Sequence, residues 1–130
     1  PLITVYLNHL ASKSRALPTQ TGKQAEQLAC DYLQARGLRL RAQNYRLRNG
    51  EIDLIMQDGP IIVFVEVRYR RGTAYGGALA SIDLRKQQRL LHTAQHYLLY
   101  QAPEAQARFD VIAIEGNNDI QWIPNAFDLG

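Results

Sequence analysis

The sequence predicts an α/β (mixed α+β) fold in which a mixed β-sheet is flanked by helices, in the order α-β-β-β-α-β-β. Two segments space their apolar residues as amphipathic helices do, and five others have the length and pattern of strands. Asp58-Gly59 between two apolar runs is typical of a β-hairpin. The 130 residues, of which 46% are hydrophobic and 21% charged, indicate one globular domain. We predict a loosely ordered or docked N-terminal arm over 1–20 and a single domain over 21–130.

The first predicted helix is followed by a strand. Thr21 and Gln24 match a capping box, and Gly37 stands where a helix C-cap glycine belongs. The alternation from Leu38 to Arg48 predicts a half-buried strand, which a turn at Asn49-Gly50 joins to the hairpin.

The second predicted helix precedes the last two strands. Asp83 can cap a helix that runs to about Tyr100, after a loop rich in glycine and arginine. The segment from Phe109 to Ile114, apolar except for Asp110, is typical of a central strand, and Ile120 to Ile123 forms a short final strand. The buried stripe of the helix is predicted to consist of Leu84, Leu91, Ala94 and Leu98, with Leu90 and Tyr97 beside it.

The hairpin concentrates acidic side chains. If Asp58-Gly59 is the turn centre, Glu51 opposes Glu66 and Asp53 opposes Phe64. Alternation then places Glu51, Asp53, Glu66 and Arg68 on one face and only apolar residues on the other. Two carboxylates roughly 7 Å apart repel by roughly 2 kcal/mol at an effective dielectric near 20. A divalent cation such as Mg²⁺ or Mn²⁺ would offset this repulsion. A solvated face in which Arg46, Arg48 and Arg68 pair with the acids would do so as well, and the residues alone leave both interpretations open.

Other residues can complete a site around these acids. Glu26 lies beside the apolar stripe of the first helix, where it is either a third metal ligand or an ordinary first-turn glutamate favoured by the helix dipole. The second helix carries a polar face of Arg85, Arg89, His92 and His96, with Lys86 beside it. This face is either a phosphate-contact surface or a solvated one. Arg70, Arg71 and Tyr75 of the preceding loop are further candidates for nucleic-acid contacts.

Charge and composition restrict the partners and the compartment. Residues 1–103 carry 14 basic and 7 acidic residues, whereas 104–130 carry one basic and five acidic residues. The acidic hairpin therefore lies in the basic part of the chain, which suits a polyanionic substrate. Cys30 is the only cysteine, so we expect the reducing cytoplasm and no disulfide. The sequence contains no phosphate-binding glycine loop, no nucleophile elbow, no Cys/His cluster and no apolar run near the 20 residues of a membrane span.

Several segments together resemble the YraN-like family of bacterial endonuclease-like proteins over about residues 20–127. That family is similar to the PD-(D/E)XK nuclease superfamily and, within it, to archaeal Holliday-junction resolvases. The resemblance implies a restriction-endonuclease-like core, hydrolysis of DNA phosphodiester bonds with Mg²⁺ or Mn²⁺, and junction DNA as one substrate. Junction resolvases work as dimers, which raises the expectation of a homodimer. The matching segments are Gly22 to Gly37, Asn44, Gly50 to Ile55, Val63 to Arg68, Gly76-Gly77, Asp83 to Arg89 and Arg108 to Val111.

The resemblance also implies roles for individual residues. Asp53 takes the position of the metal-binding aspartate, Glu66 that of the glutamate in the Glu-x-Lys element, and Glu26 that of the helical acidic residue. Arg68 departs from the pattern because it replaces the usual lysine. Arginine stays protonated and cannot act as a base, although it can still orient a scissile phosphate. The alternatives are therefore a weakly active or inactive nucleic-acid-binding module and an assembly protein that uses the acidic C-terminal segment.

Overall fold

A five-stranded mixed sheet with one helix on each face forms the structure, a computed structural model that describes residues 18–69, 80–116 and 118–128. Side chains are described from residue 22 onward. Most of the predicted arm lies outside these residues. The loop candidates Arg70, Arg71 and Tyr75 lie wholly outside them. The elements are α1 (Pro18–Ala35), β1 (Arg39–Leu47), β2 (Gly50–Asp58), β3 (Ile61–Tyr69), α2 (Leu84–Gln101), β4 (Gln106–Ile114) and β5 (Ile120–Phe127).

The strands lie in the order β1-β2-β3-β4-β5. The pairs β1–β2, β2–β3 and β4–β5 are antiparallel, whereas β3 and β4 are parallel. A parallel pair requires a crossover connection, which contains α2. The predicted order of elements and the mixed sheet are thus confirmed. Neither of the two helices is long and apolar enough to cross a membrane, within the part of the chain that the structure describes.

Both faces of the sheet are buried. On one face, Ala25, Ala29 and Leu33 of α1 pack against a cluster that includes Leu54 and Val65. On the other face, residues of α2 pack against a second cluster. Cys30 is buried in the first cluster, in agreement with a packed thiol. The second cluster consists of Ile52, Ile55, Ile62, Phe64, Ile82, Leu90, Ala94, Tyr97, Phe109 and Val111.

Local sequence signals mark two helix ends, but the predicted cap at Thr21 is wrong because α1 begins at Pro18. Gly37 has a positive φ of 98°, and the next residue, Leu38, donates its N–H to the carbonyl of Leu33 at 3.1 Å. This is the Schellman arrangement that a C-cap glycine allows. Asp83 caps α2 as predicted, because its carboxylate accepts from the backbone N–H of Lys86 at 2.9 Å.

The predicted hairpin register is wrong by two residues. Leu54 faces Val65 and Asp58 faces Ile61, so the turn centre is Gly59-Pro60 and not Asp58-Gly59. Gly59 has a φ of 60°, which glycine adopts without strain. One step beyond the Leu54–Val65 pair, this register brings Asp53 next to Glu66 and not opposite Phe64.

The prediction of one acidic and one wholly apolar hairpin face is also wrong. Ile52 packs in the α2 cluster, whereas Leu54 packs in the α1 cluster, although the two differ by an even number of positions. Strict alternation therefore breaks at Asp53. On β3, Val65 and Val67 belong to the α1 side, so Glu66 and Arg68 extend toward the α2 side.

Two burial predictions need a similar correction. The buried residues of α2 are Leu90, Thr93, Ala94 and Tyr97, so the stripe is rotated from the predicted one, and Leu84 is 73% exposed. The rotation leaves Leu84 outside the cluster that packs against the sheet. Strand β1 is mostly exposed because it lies at the edge of the sheet, and a register shift interrupts its alternation between Leu40 and Ala42.

Candidate functional site

Asp53 and Glu66 meet where β2 and β3 separate. The paired ladder ends at Leu54 and Val65, and beyond it the Oδ2 of Asp53 accepts the backbone N–H of Val67 at 2.9 Å. A carboxylate thus takes the place that a backbone carbonyl holds in a regular ladder. On the neighbouring strand, Asn44 lies between the paired positions Gln43 and Tyr45 and has a positive φ of 51°. The ladder between β1 and β2 is therefore also interrupted here, where Asn44 would pair with Asp53.

Two cationic side chains contact Glu66, which is only 4% exposed. The Nη2 of Arg68 lies 3.3 Å and the Nζ of Lys86 lies 3.5 Å from the same oxygen, Oε2. Glu66 is therefore held from its own strand and from the first turn of α2. The arginine pairing that the sequence left open as an alternative is present for Glu66, and also for Glu51, which pairs with Arg46 at 3.1 Å.

The two carboxyl groups hold protons more tightly than isolated acids do. Burial, followed by the charge of Glu66, raises the pKa of Asp53 to about 8, although the N–H of Val67 opposes this shift. Burial also raises the pKa of Glu66, in spite of the neighbouring Lys86 and Arg68. Burial is thus the main reason why ionising both carboxyls is unfavourable, and a bound cation would stabilise their ionised forms.

Glu26 and Glu51 form the outer part of this acidic region through Asn44. The Nδ2 of Asn44 donates to the Oε1 of Glu26 and to the Oε2 of Glu51, both at 3.0 Å. The charges of Glu26 and Glu51 add to the rise in the pKa of Asp53. The helix α1 therefore presents a carboxylate toward the site, but hydrogen bonding ties it to Asn44.

The donor atoms of Asp53 and Glu66 suit a hard divalent cation. Magnesium is commonly bound by one or two carboxylates, with water and substrate phosphate completing its six ligands. The half-buried Asp53 and the buried Glu66 lie next to each other, and their carboxyl groups fit this requirement. Within the described residues, no group of three or more His, Cys, Asp or Glu side chains is arranged to hold a metal ion. The role of Glu26 as a third ligand stays a prediction.

The basic candidates on α2 divide into two groups. Arg85 and Arg89 are exposed and line a cavity of about 300 Å³ together with Asn49, Gln88 and His92. Lys86 lies apart from this cavity and contacts Glu66. The sequence interpretation assigned Lys86 to the phosphate-contact face and missed its contact with the acid site.

The sequence interpretation also missed the bridging role of Asn44. An asparagine inside an otherwise alternating strand was the available signal, because asparagine tolerates positive φ better than most residues. The contact of Lys86 with Glu66 had no such local signal, since it depends on how α2 lies across the sheet.

Comparison with known proteins places the chain among close relatives. A family model described as "Uncharacterised protein family UPF0102" matches residues 25–114. A UPF0102 protein of Pseudomonas fluorescens is 52% identical over 112 residues, which cover 84% of this chain and 93% of the relative. One from Methylococcus capsulatus is 52% identical over 111 residues, with 83% and 90% covered. Another from Nitrosococcus oceani is 54% identical over 111 residues, with 82% and 90% covered.

Proposed function

Because the chain belongs to the uncharacterised protein family UPF0102, whose description assigns no activity, we propose its function from the site: a metal-dependent nuclease that hydrolyses DNA phosphodiester bonds. The observation that carries the proposal is the pair of adjacent carboxyls, Asp53 and Glu66, where β2 and β3 separate. Burial makes two free carboxylates unfavourable here, and a bound cation would stabilise both. The resemblance to PD-(D/E)XK nucleases supports the same assignment, and branched DNA is the substrate form that it suggests.

Asp53 and Glu66 would hold Mg²⁺ or Mn²⁺ through their carboxylate oxygens. When bound, such an ion lowers the pKa of a coordinated water and stabilises the charge that develops on the phosphate. The N–H of Val67 fixes the orientation of Asp53, and Arg68 fixes that of Glu66. The guanidinium of Arg68 would also hold a phosphate oxygen next to the acids.

The surface around α2 supports binding of a polyanion. Arg85 and Arg89 are exposed on one side of the helix and share a cavity with His92. Side chains of this type contact the DNA backbone without reading its sequence. Their position on the helix that also brings Lys86 to Glu66 would guide the backbone toward the acid site.

The decisive experiment compares cleavage by matched variants. Linear, flapped and four-way DNA are incubated with the protein and Mg²⁺ or Mn²⁺. We expect Asp53→Asn and Glu66→Gln to reduce cleavage by at least about 10³-fold, a loss typical of removing part of a catalytic unit. Asp31→Asn and Glu104→Gln are the matched controls, since neither lies at the site, and both should cleave like the unchanged protein. Cleavage that survives both site substitutions would show that the proposed site is wrong.

A direct binding measurement separates the metal site from turnover. Titration calorimetry with Mn²⁺ should give a binding isotherm for the unchanged protein and a much weaker one for Asp53→Asn. Equal affinity in both proteins would contradict a metal site at Asp53.

A nucleic-acid-binding module without turnover is the second candidate, and the presence of Arg68 at the lysine position favours it. This candidate predicts DNA binding that weakens steeply with salt and shows no metal-dependent cleavage. If Arg85 and Arg89 each contact one phosphate, each substitution by alanine should reduce the slope of log K against log salt by about 1. Unchanged affinity and slope would remove this face of α2 from the interface.

A further inference from the structure

Lys86 is the basic residue of α2 that reaches the acid site. Its backbone is fixed, because Asp83 accepts its N–H at 2.9 Å in the first turn of the helix. Its side chain is 31% exposed, and its Nζ lies 3.5 Å from the Oε2 of Glu66. It therefore approaches Glu66 from the helix, whereas Arg68 approaches the same oxygen from the strand.

We propose that Lys86 is a catalytic residue, which supplies from α2 the ammonium group that the Glu-x-Lys element lacks here. This inference rests on the proposed nuclease function. The ammonium has three N–H donors, and one is directed to Glu66. The other two can donate to the attacking water and to a non-bridging oxygen of the scissile phosphate. Lys86 acts by its position and its donors.

The hydrolytic step balances without any group beyond water and the phosphodiester. The water oxygen forms a bond to phosphorus, and the bond from phosphorus to one sugar oxygen breaks. One proton of the water is released to solvent, and the departing sugar oxygen takes up a proton. Lys86 would hold the water and the phosphate oxygen during this exchange, which is the role that positioned donors play in low-dielectric sites.

The neighbouring cations are less suited to this role. The guanidinium of Arg68 is a planar fork and pairs with Glu66, so it cannot reproduce the compact, rotatable ammonium of a lysine. Arg85 and Arg89 line the separate cavity with Asn49 and His92. Lys86 thus combines contact with a proposed metal-binding carboxylate and partial exposure toward solvent, from which substrate arrives.

The test removes the lysine from α2 and introduces one on β3. Steady-state kcat and KM are measured with Mg²⁺ for Lys86→Met, for Arg68→Lys and for the double variant. We expect Lys86→Met to lower kcat by about 10²- to 10³-fold, the loss seen when one positioned donor is removed. KM should change less than about 3-fold. The double variant should regain at least about 10-fold in kcat, because a lysine on β3 then supplies the ammonium. Lys23→Met, an exposed lysine of α1, is the matched control.

A second variant separates a loss of activity from a loss of folding. Lys86→Arg keeps the positive charge next to Glu66, and its thermal unfolding should match that of the unchanged protein. Its kcat should still fall at least about 10-fold, because a guanidinium has a different donor geometry. Full kcat in either Lys86 variant, or no rescue by Arg68→Lys, would overturn the role of Lys86.

The outcomes for the two proposals are distinguishable. If Asp53→Asn abolishes cleavage while Lys86→Met retains it, the nuclease function stands and the inference fails. If the unchanged protein and Arg68→Lys cleave no substrate with either metal, the nuclease function fails and the inference fails with it. Loss of cleavage in both Asp53→Asn and Lys86→Met, with rescue only of the latter, supports both.

Discussion

Glu66 on β3 and Asp110 on β4 are both buried carboxylates on neighbouring central strands, yet their surroundings differ. Asp110 is 0% exposed and accepts from Arg108 Nε at 3.0 Å, Trp122 Nε1 at 2.8 Å and the N–H of Asn125 at 2.9 Å. Glu66 faces a second carboxyl, and burial raises its pKa despite two adjacent cations. Burial of an acid is therefore a poor guide to function. Whether its hydrogen-bond donors and cations offset its charge is more informative about its role.

The partners of Asp110 also explain why it is there. The register between β4 and β5 shifts between Phe109 and Val111, and Asn125 on β5 has a positive φ of 53°. The carboxylate bonds the backbone N–H that this bulge frees from the ladder, so it replaces a missing strand contact. Asp53 likewise accepts a backbone N–H, that of Val67, but it lies next to another acid. Asp110 therefore acts as a structural partner of β5, whereas the Asp53–Glu66 pair has no such complete set of partners.

The largest expected effect comes from removing Asp110. Asp110→Ala leaves the indole N–H of Trp122 without its buried partner, and the guanidinium of Arg108 then keeps only the more exposed Asp58. Breaking a buried ion pair in this way costs about 3–5 kcal/mol. We expect urea unfolding at pH 7 to show a loss of this size. The fraction that stays folded should keep its DNA affinity. A variant of normal stability that no longer cleaves DNA would instead place Asp110 in the site.

Gly50 allows a comparison in which the acid site is disturbed without a change of charge. A Cβ at this position would meet the Oγ1 of Thr93 and lie 3.2 Å from the carbonyl oxygen of Arg89. Gly50→Ala should therefore push α2 away from the sheet and cost about 1–3 kcal/mol. The same displacement moves Lys86 from Glu66, so cleavage should fall with stability.

A double variant tests this explanation of Gly50. Thr93→Ala removes the hydroxyl that the new methyl group would meet, and thermal unfolding should show that it recovers part of the loss. A double variant as unstable as Gly50→Ala alone would show that strain elsewhere in the β1–β2 turn is responsible.

The elements were predictable from the sequence because their signals are local. Gly37 and Asp83 marked two helix ends correctly, since capping depends on a few adjacent residues. The segment from Phe109 to Ile114, apolar except for Asp110, forms the C-terminal part of β4 because a strand buried on both faces needs no polar alternation. The order of the elements followed from these segments alone.

The register and the contacts of the site were less predictable, since they depend on choices that local sequence leaves open. Both Asp58-Gly59 and Gly59-Pro60 can form a turn centre, and the second moves Asp53 by two positions relative to β3. The contact between Lys86 and Glu66 depends on the rotation and path of α2. The stripe that includes Leu90 and Tyr97 sets that rotation through tertiary packing, which helical spacing alone does not reveal.

After Asp110 and Gly50, the next largest expected effect is a gain of stability when Asp53 is replaced. Its sign is opposite to that of the effect at Asp110. Asp53 has a pKa raised from 3.8 to about 8 in the folded protein. Between these values the folded state binds a proton that the unfolded state has lost, so the free energy of unfolding falls as the pH rises. Asp53→Asn cannot ionise and keeps an acceptor for Val67. Since one pKa unit corresponds to about 1.4 kcal/mol, it should be at least about 1 kcal/mol more stable at pH 8 without metal.

The measurement for Asp53 is urea unfolding in EDTA at pH 5 and pH 8. The difference between the variant and the unchanged protein should grow with pH, whereas Asp31→Asn, on the surface of α1, should show no such trend. Equal pH dependence in all three proteins would mean that Asp53 ionises as readily in the fold as in the unfolded chain.

The smallest expected effect separates ion pairs by burial. Arg46 pairs with Glu51 at 3.1 Å but is 69% exposed, whereas Arg108 is 20% exposed and pairs with the fully buried Asp110. Water and salt screen the exposed pair, so Arg46→Ala should change the free energy of unfolding by less than about 0.5 kcal/mol. Urea unfolding at low and high salt measures this change. A loss above about 1 kcal/mol would show that Arg46 holds Glu51 against Asn44, and with it the outer acids of the site.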